Sequence, residues 1–452
     1  MAQIINKTAI YGGVAALALL LTLPVFSVSA QTAAAPEHEQ LLNGLTILYS
    51  NRAGDPNVLL KLRIRSGAAF DLAGKAGTMA LLADAMFPES STREYVAEQL
   101  GGKLEVSTTY DSIDVTISGK SSELERMIEL LRTAVLNINL SPESVATLRE
   151  ARLKQLSEKS SNVDIADREV AARLFGSYPY GSPPLGTPVT VGKIERADLM
   201  FARERFLNAE NATLVVVGGV EKARLMRALR QMLGPWQKGD RIVPATFRQP
   251  GAVDDRVLVI DQPAASNVQI RLAVRGLSRS DPDASAAIPL AFIANQRWQA
   301  AVPDLSKNSK VWHDAHALSG MFTFAAAVPS ASVAKAIAAA KKVMKDLAEA
   351  PPSEAEMGAV IPMSPGLAPE VATAWLDAEI YKLPSGASND PGRLRPDDIR
   401  RAAARLFGNS APLAVVVLGN AAELKNELGF KVEMRGSLDI PPAVNTLPAR
   451  KP

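Results

Sequence analysis

The 452-residue chain contains no cysteine, so disulfides and thiolate metal sites are excluded. Histidine is nearly as scarce. His38, His313 and His316 are the full complement, too few for a histidine-rich metal centre. Neither sign of charge is in excess: 50 basic against 47 acidic residues leave +3, and no basic block stands out. A nucleic-acid partner is therefore not expected. No Ser sits in a Gly-x-Ser-x-Gly elbow and no phosphate-binding loop occurs, which argues against a serine-hydrolase nucleophile and nucleotide chemistry. What remains is ordinary globular material, 47% apolar and 21% charged, enough for more than one core.

Residues 1–30 stand apart. Lys7 precedes the apolar run Ala9–Phe26, and Val28-Ser29-Ala30 ahead of Gln31 has the small-residue form of a signal-peptidase site. Gly12, Gly13 and Pro24 favour a cleaved signal peptide over an uncleaved anchor, although the run is about long enough to span a bilayer. The folded part is expected outside the cytoplasm in either case: periplasmic or secreted, or membrane-tethered through the N-terminal segment.

Beyond the Ala-rich leader, Leu42–Tyr49 reads as a turn and a strand. Val58–Arg65 alternates Leu60, Leu62 and Ile64 with Lys61, Arg63 and Arg65, as a strand with one solvated face should. Helices are predicted over 77–87, Thr92–Leu100 and Ser121–Asn137, with a hairpin around Tyr110-Asp111 between the last two. Ser141-Pro142 opens a further helix, Asp164–Phe175 and Asp198–Phe206 are helical, and Leu214–Gly219 is a short buried strand. The Pro-rich, charged stretch 236–251 reads as a linker. After it the order restarts: Val257–Ile260 and Val268–Gly276 repeat the opening strand pair, and Leu413–Gly419 repeats Leu214–Gly219. This gives two homologous α+β domains, 37–235 and 252–430, each a mixed sheet with helices packed on one face, and a disordered tail over 436–452. The sequon Asn211-Ala212-Thr213 lies hard against a buried strand and is expected to be unused.

Gly77-Thr78-Met79-Ala80-Leu81-Leu82-Ala83-Asp84-Ala85-Met86-Phe87 is the stretch on which function turns. With Leu42-Asn43-Gly44-Leu45, Glu98-Gln99-Leu100-Gly101-Gly102 and Tyr178-Pro179-Tyr180-Gly181, it resembles the insulinase, pitrilysin and mitochondrial processing peptidase family. Catalytic members carry the inverted zinc motif His-x-x-Glu-His on this helix. The resemblance implies a duplicated α+β chain forming half of a clamshell around an extended peptide, and zinc as the cofactor of active relatives. On that frame the first His position is Ala80, the Glu position Ala83 and the second His position Asp84. Two methyl groups and one carboxylate cannot make a tetrahedral zinc site, so neither a metal nor a catalytic residue is expected there.

The family's third ligand, a Glu on the helix before the Tyr178 loop, falls in Glu150–Lys159, where Glu158 and Lys154 both compete for the position. Active members also bring an Arg and a Tyr from the second half to bind the peptide carbonyl. Here that stretch is Leu305–Trp312, with no Arg and with Trp312, a candidate substrate contact, at the Tyr position. His313 and His316 invite a metal reading, weighed against a polar loop before the strand Met321–Val328, which is preferred. The resulting expectation is an exported, non-catalytic homologue, paired as a heterodimer with a catalytic peptidase subunit and helping to enclose a peptide. The alternatives are a metallopeptidase with displaced zinc ligands and a stand-alone peptide- or envelope-binding module.

Overall fold

The computed structural model describes residues 35–158, 161–239, 247–305, 308–360, 367–383, 394–408, 411–428 and 431–436. Residues 1–30, expected from the sequence to be a signal peptide, lie outside the described residues, as do most of the tail and part of the linker. Twelve strands are present among the described residues: β1 (Glu37–Gln40), β2 (Thr46–Asn51), β3 (Asn57–Ile64), β4 (Lys103–Thr108), β5 (Ile113–Lys120) and β6 (Ala212–Gly218), then β7 (Val257–Asp261), β8 (Val268–Arg275), β9 (Ser309–Asp314), β10 (Met321–Val328), β11 (Leu413–Gly419) and β12 (Val432–Arg435). The helices of the first half are α1 (Thr78–Met86), α2 (Ser90–Glu98), α3 (Leu124–Leu136), α4 (Pro142–Glu158), α5 (Asn162–Phe175), α6 (Pro188–Val191), α7 (Arg196–Phe206) and α8 (Lys222–Leu233). Those of the second are α9 (Ala284–Ala301), α10 (Val333–Glu349), α11 (Glu354–Gly358), α12 (Ala368–Tyr381), α13 (Pro396–Phe407) and α14 (Ala421–Glu427). Among the described residues no helix is long and apolar enough to cross a membrane.

The strands form two mixed sheets of one plan, β1-β2-β6-β3-β5-β4 and β12-β7-β11-β8-β10-β9. The β-branched strand β6 runs parallel to β2 and antiparallel to β3, and β11 stands in the same relation to β7 and β8. The matching Val-rich strands near the end of each half thus occupy the same sheet position. The edges differ. β1, just ahead of β2, adds antiparallel in one sheet, while β12, from the far end of the chain, adds parallel in the other.

The helices do not all lie on one face of their own sheet. Each sheet has its own helices on one side, while its other side is covered by a helix from the opposite half. Ile165, Val170, Leu174 and Phe175 of α5 pack against Leu258, Ile260, Ala273, Val416 and Leu418 of the second sheet. Ala372 and Leu376 of α12 pack against Leu48, Leu59, Val215 and Val217 of the first. This exchange explains why β6 is buried at every residue rather than alternating. Each large apolar side chain so buried contributes about 1.5–3 kcal/mol.

It also corrects the reading of β3, whose polar face is not solvated. The Lys61 and Arg63 side chains are only 13% and 9% exposed, beneath α12. Lys61 donates to Thr373 Oγ1 of α12 at 2.7 Å, while Arg271 of β8 donates to Asp167 of α5. Lys61 stands opposite Val215 and Arg271 opposite Val416, the same register position in the two sheets. Asp167 follows the buried pair Ile165-Ala166, as Thr373 follows Val371-Ala372. The duplication therefore extends to the polar contact by which each half grips the other.

Candidate functional site

The N-terminus of α1 is fixed from two sides. Asp71 accepts hydrogen bonds from the Gly77 and Met79 N–H groups at 2.7 and 2.9 Å, satisfying donors that a first helical turn leaves free. Burial raises its carboxyl to about 7, opposed by those same N–H groups. Gly77 has φ +99°, and a Cβ there would stand 2.9 Å from the Leu185 carbonyl oxygen, so glycine is required for the loop at 183–186 to approach. Thus anchored, α1 buries Ala80 fully and places Ala83 (3% exposed) and Asp84 beside residues of α4 and β4.

The group facing Asp84 is Arg152 of α4. Its Nε donates to Asp84 Oδ2 at 3.0 Å, Nη2 donates to the same oxygen, and Nη1 donates to Gln155 Oε1 at 2.8 Å. The Arg152 side chain is 7% exposed and that of Asp84 36%. Burial pushes the Asp84 carboxyl upward, and the Arg152 charge opposes the shift. Sequence reasoning passed over Arg152, yet a signal existed. The buried stripe of α4 reads Val145, Leu148, Arg152, so a guanidinium occupies an apolar register. Glu158 and Lys154 lie together on the exposed part of α4, 4.0 Å apart, away from Asp84.

A pocket of about 420 Å³ opens beside the Asp84–Arg152 pair. Arg93 of α2, Ser107 and Thr108 of β4, and the loop residues Pro184 and Leu185 complete much of its wall. β4 is the outermost strand of the first sheet, with β5 as its sheet neighbour.

In the second half, the loop expected over His313–His316 starts two residues later: His313 and Asp314 end the edge strand β9, which pairs with β10 and brings Val311 to the core, and the loop runs from Ala315 to β10. Trp312 lies half-buried on this edge with Lys310 Nζ 5.1 Å from its ring centroid. The two histidines diverge. His313 Nε2 accepts the Leu277 N–H at 3.0 Å. His316 lies against Tyr110 and Tyr180, ring centroids 4.9 and 4.7 Å away, with Nε2 3.2 Å from Asp314. Asp111 ties this corner together, accepting from Tyr180 Oη at 3.1 Å and the Ala317 N–H at 2.7 Å. The Tyr178-Pro179-Tyr180-Gly181 loop therefore joins the halves. Among the described residues no group of three or more His, Cys, Asp or Glu side chains is arranged to hold a metal ion. Asn211 is 6% exposed and donates to Ser66 Oγ and the Phe206 carbonyl, so its amide is engaged.

His313 gives a test of this geometry. Burial pulls its pKa from 6.5 down to about 4. The unfolded chain then binds the proton first, so stability is full above pH 6.5 and is lost as pH falls toward 4. The loss is expected to reach at most about 3 kcal/mol. Denaturant midpoints measured between pH 7 and pH 4 should fall more steeply for the wild type than for His313→Gln. Equal slopes would remove His313 from the account.

Two like halves, each a six-stranded mixed sheet gripped by a helix of the other, define a duplicated α+β peptidase-like fold. Residues 46–188 match the model for Insulinase (Peptidase family M16), and residues 193–361 match that for the Peptidase M16 inactive domain. The chain belongs to this family, as a member without the His-x-x-Glu-His motif. It is 23% identical over 208 residues to an uncharacterized zinc protease of Rickettsia bellii, covering 45% of this chain and 50% of that one. The chain thus spans about half the length of the curated relatives it matches. Among solved structures, a peptidase M16 inactive domain from Pseudomonas fluorescens superposes with a TM-score of 0.75 at 17% identity, over 85% of this chain and 98% of that one. The periplasmic protease PqqL from Escherichia coli gives 0.69 at 15% identity, over 88% of this chain and 49% of that one. At such identities the likeness is one of fold.

Proposed function

We propose that this chain is an exported, non-catalytic subunit that pairs with a catalytic homologue carrying the complete zinc motif and helps enclose an extended peptide. The observation that carries the reading is the Asp84–Arg152 pair. At the motif positions two side chains are methyl groups, and the one carboxylate is already neutralised by a buried guanidinium. These residues do not fit a zinc ion, which needs three protein donors with free lone pairs and tolerates no cation among them. The family fold is meanwhile retained, with α1 held at its N-terminus by Asp71 and β4 at the edge of the first sheet. The displaced-ligand reading fares worse, because His313 spends Nε2 on a backbone N–H and His316 is turned into the Tyr110–Tyr180 cluster. The match to about half of PqqL supports pairing, since the remainder of that chain corresponds in length to a second such unit.

The test has two parts. Zinc measured in the chain purified alone is expected well below one per chain, with no chelator-sensitive peptide hydrolysis. Co-expression with a full-motif homologue from the same genome is expected to yield a stable complex. One zinc per chain in the isolated protein would restore the peptidase reading. Absence of any complex would favour the stand-alone module.

A further inference from the structure

Resting on the peptide-binding reading above, we propose that the pocket between α1, α2, α4 and β4 is a carboxylate subsite. Arg152 and Arg93 receive in it an acidic side chain, or the C-terminal carboxylate, of the bound peptide.

Among the described residues, Asp84, Arg93 and Arg152 are the charged groups that line the pocket, and the polar groups Ser107, Thr108 and Gln155 are neutral. Asp84 balances one guanidinium, leaving one positive charge over. That surplus is Arg93. It makes a 3.4 Å contact to the Phe87 carbonyl oxygen, and no carboxylate of the described residues lies within ion-pair distance of it.

Arg152 adds directed donors. A guanidinium has five N–H groups and two edges that can each hold a carboxylate. Asp84 occupies the Nε–Nη2 edge, and Nη1 gives one hydrogen to Gln155. One N–H on each of Nη1 and Nη2 has no acceptor among the described residues. These donors belong to a side chain that is only 7% exposed, so water satisfies them poorly and a second anion would satisfy them well. The volume of about 420 Å³ has room for an Asp or Glu side chain with its flanking backbone. The pocket opens beside β4, the edge along which an extended segment could add hydrogen bonds. A basic side chain would meet like charge instead.

The test uses the chain as purified and four fluorescent peptides of one extended sequence. They carry an internal Glu with a C-terminal amide, Gln with an amide, Gln with a free carboxylate, and Lys with an amide. At least one of the two carboxylate-bearing peptides is expected to bind about tenfold more tightly than the Gln amide. Which of them does so identifies the source of the carboxylate. Arg93→Gln should abolish the preference without moving the thermal midpoint, because Arg93 is exposed. Asp84→Asn frees Arg152 from its internal carboxylate and should raise affinity for the acidic peptide, the opposite of what damage to the pocket would do. Equal affinities for all four peptides, tightest binding of the Lys peptide, or binding of none would overturn the subsite. The subunit reading is scored separately. A retained acidic preference without complex formation would sink only the pairing, and a complex without the preference would sink only the pocket.

Discussion

Asp114→Ala is expected to cost about 3–5 kcal/mol of stability, the range for a buried ion pair that loses one partner. Asp114 of β5 receives Arg63 in a bidentate pair, Nε to Oδ1 at 2.8 Å and Nη2 to Oδ2 at 2.7 Å. Lys61 Nζ lies 3.7 Å from the same carboxylate. The side chains of Arg63 and Asp114 are 9% and 7% exposed, so water cannot replace the lost carboxylate. The damage should not stay within the first sheet, because Arg63 Nη1 also donates to Asp377 of α12 at 2.6 Å. Asp377 in turn accepts from Arg279 at 2.7 Å, and the network thereby joins the first sheet, α12 and the β8–α9 loop of the second half. Denaturant unfolding should show one earlier transition rather than the selective loss of one half. Replacing both partners, Arg63→Met with Asp114→Leu, should recover only part of the loss, since Asp377 keeps Arg279 but the half-buried Lys61 loses its nearest carboxylate. An Asp114→Ala variant within about 1 kcal/mol of the wild type would mean that the pair is far better hydrated than its burial indicates.

The strands most legible in the sequence are those whose pattern reflects burial alone. Val-Val-Val runs in β6 and β11 announce themselves because both sheet faces are covered, and Gly218 and Gly419 end them. The edge strand β9 was hidden because Lys310, His313 and Asp314 dilute its pattern, and only its pairing with β10 makes it a strand. The face of β3 is deceptive for a related reason. Alternating Lys and Arg look solvated in one dimension, and nothing local reveals that α12, some 300 residues later, lies over them. At the site, the missing donors at Ala80, Ala83 and Asp84 were read directly, since a methyl group lacks a lone pair in any fold. What took their place was not legible. Arg152 meets Asp84 across 68 positions of sequence, and its one local mark is a charge in the buried stripe of α4.

Putting the donors back, with Ala80→His, Ala83→Glu and Asp84→His together, is expected to leave the chain well short of one zinc and without peptidase activity. Sequence alone would suggest that the site is then two-thirds rebuilt. The structure adds a cation. Arg152 would lose its carboxylate and remain, buried, beside the intended metal position. A doubly charged ion about 4 Å from a guanidinium is opposed by on the order of 8 kcal/mol at an effective dielectric near 20. A penalty of that size would weaken binding by roughly a million-fold. Ala80 and Ala83 are also nearly inaccessible, so the larger side chains should cost about 1–3 kcal/mol each in repacking. Adding Arg152→Glu is the informative fourth change, because it exchanges the opposing charge for a third donor from the residue that already faces Asp84. That quadruple variant should take up more zinc than the triple one at equal free metal, measured by elemental analysis after dialysis. Hydrolysis should remain absent from both, since the second half offers no Arg in the described part of the Leu305–Trp312 stretch to bind a developing oxyanion. If the triple variant bound one zinc and cleaved peptides, Arg152 would have to swing clear of the site, and its charge would not be what keeps the metal out.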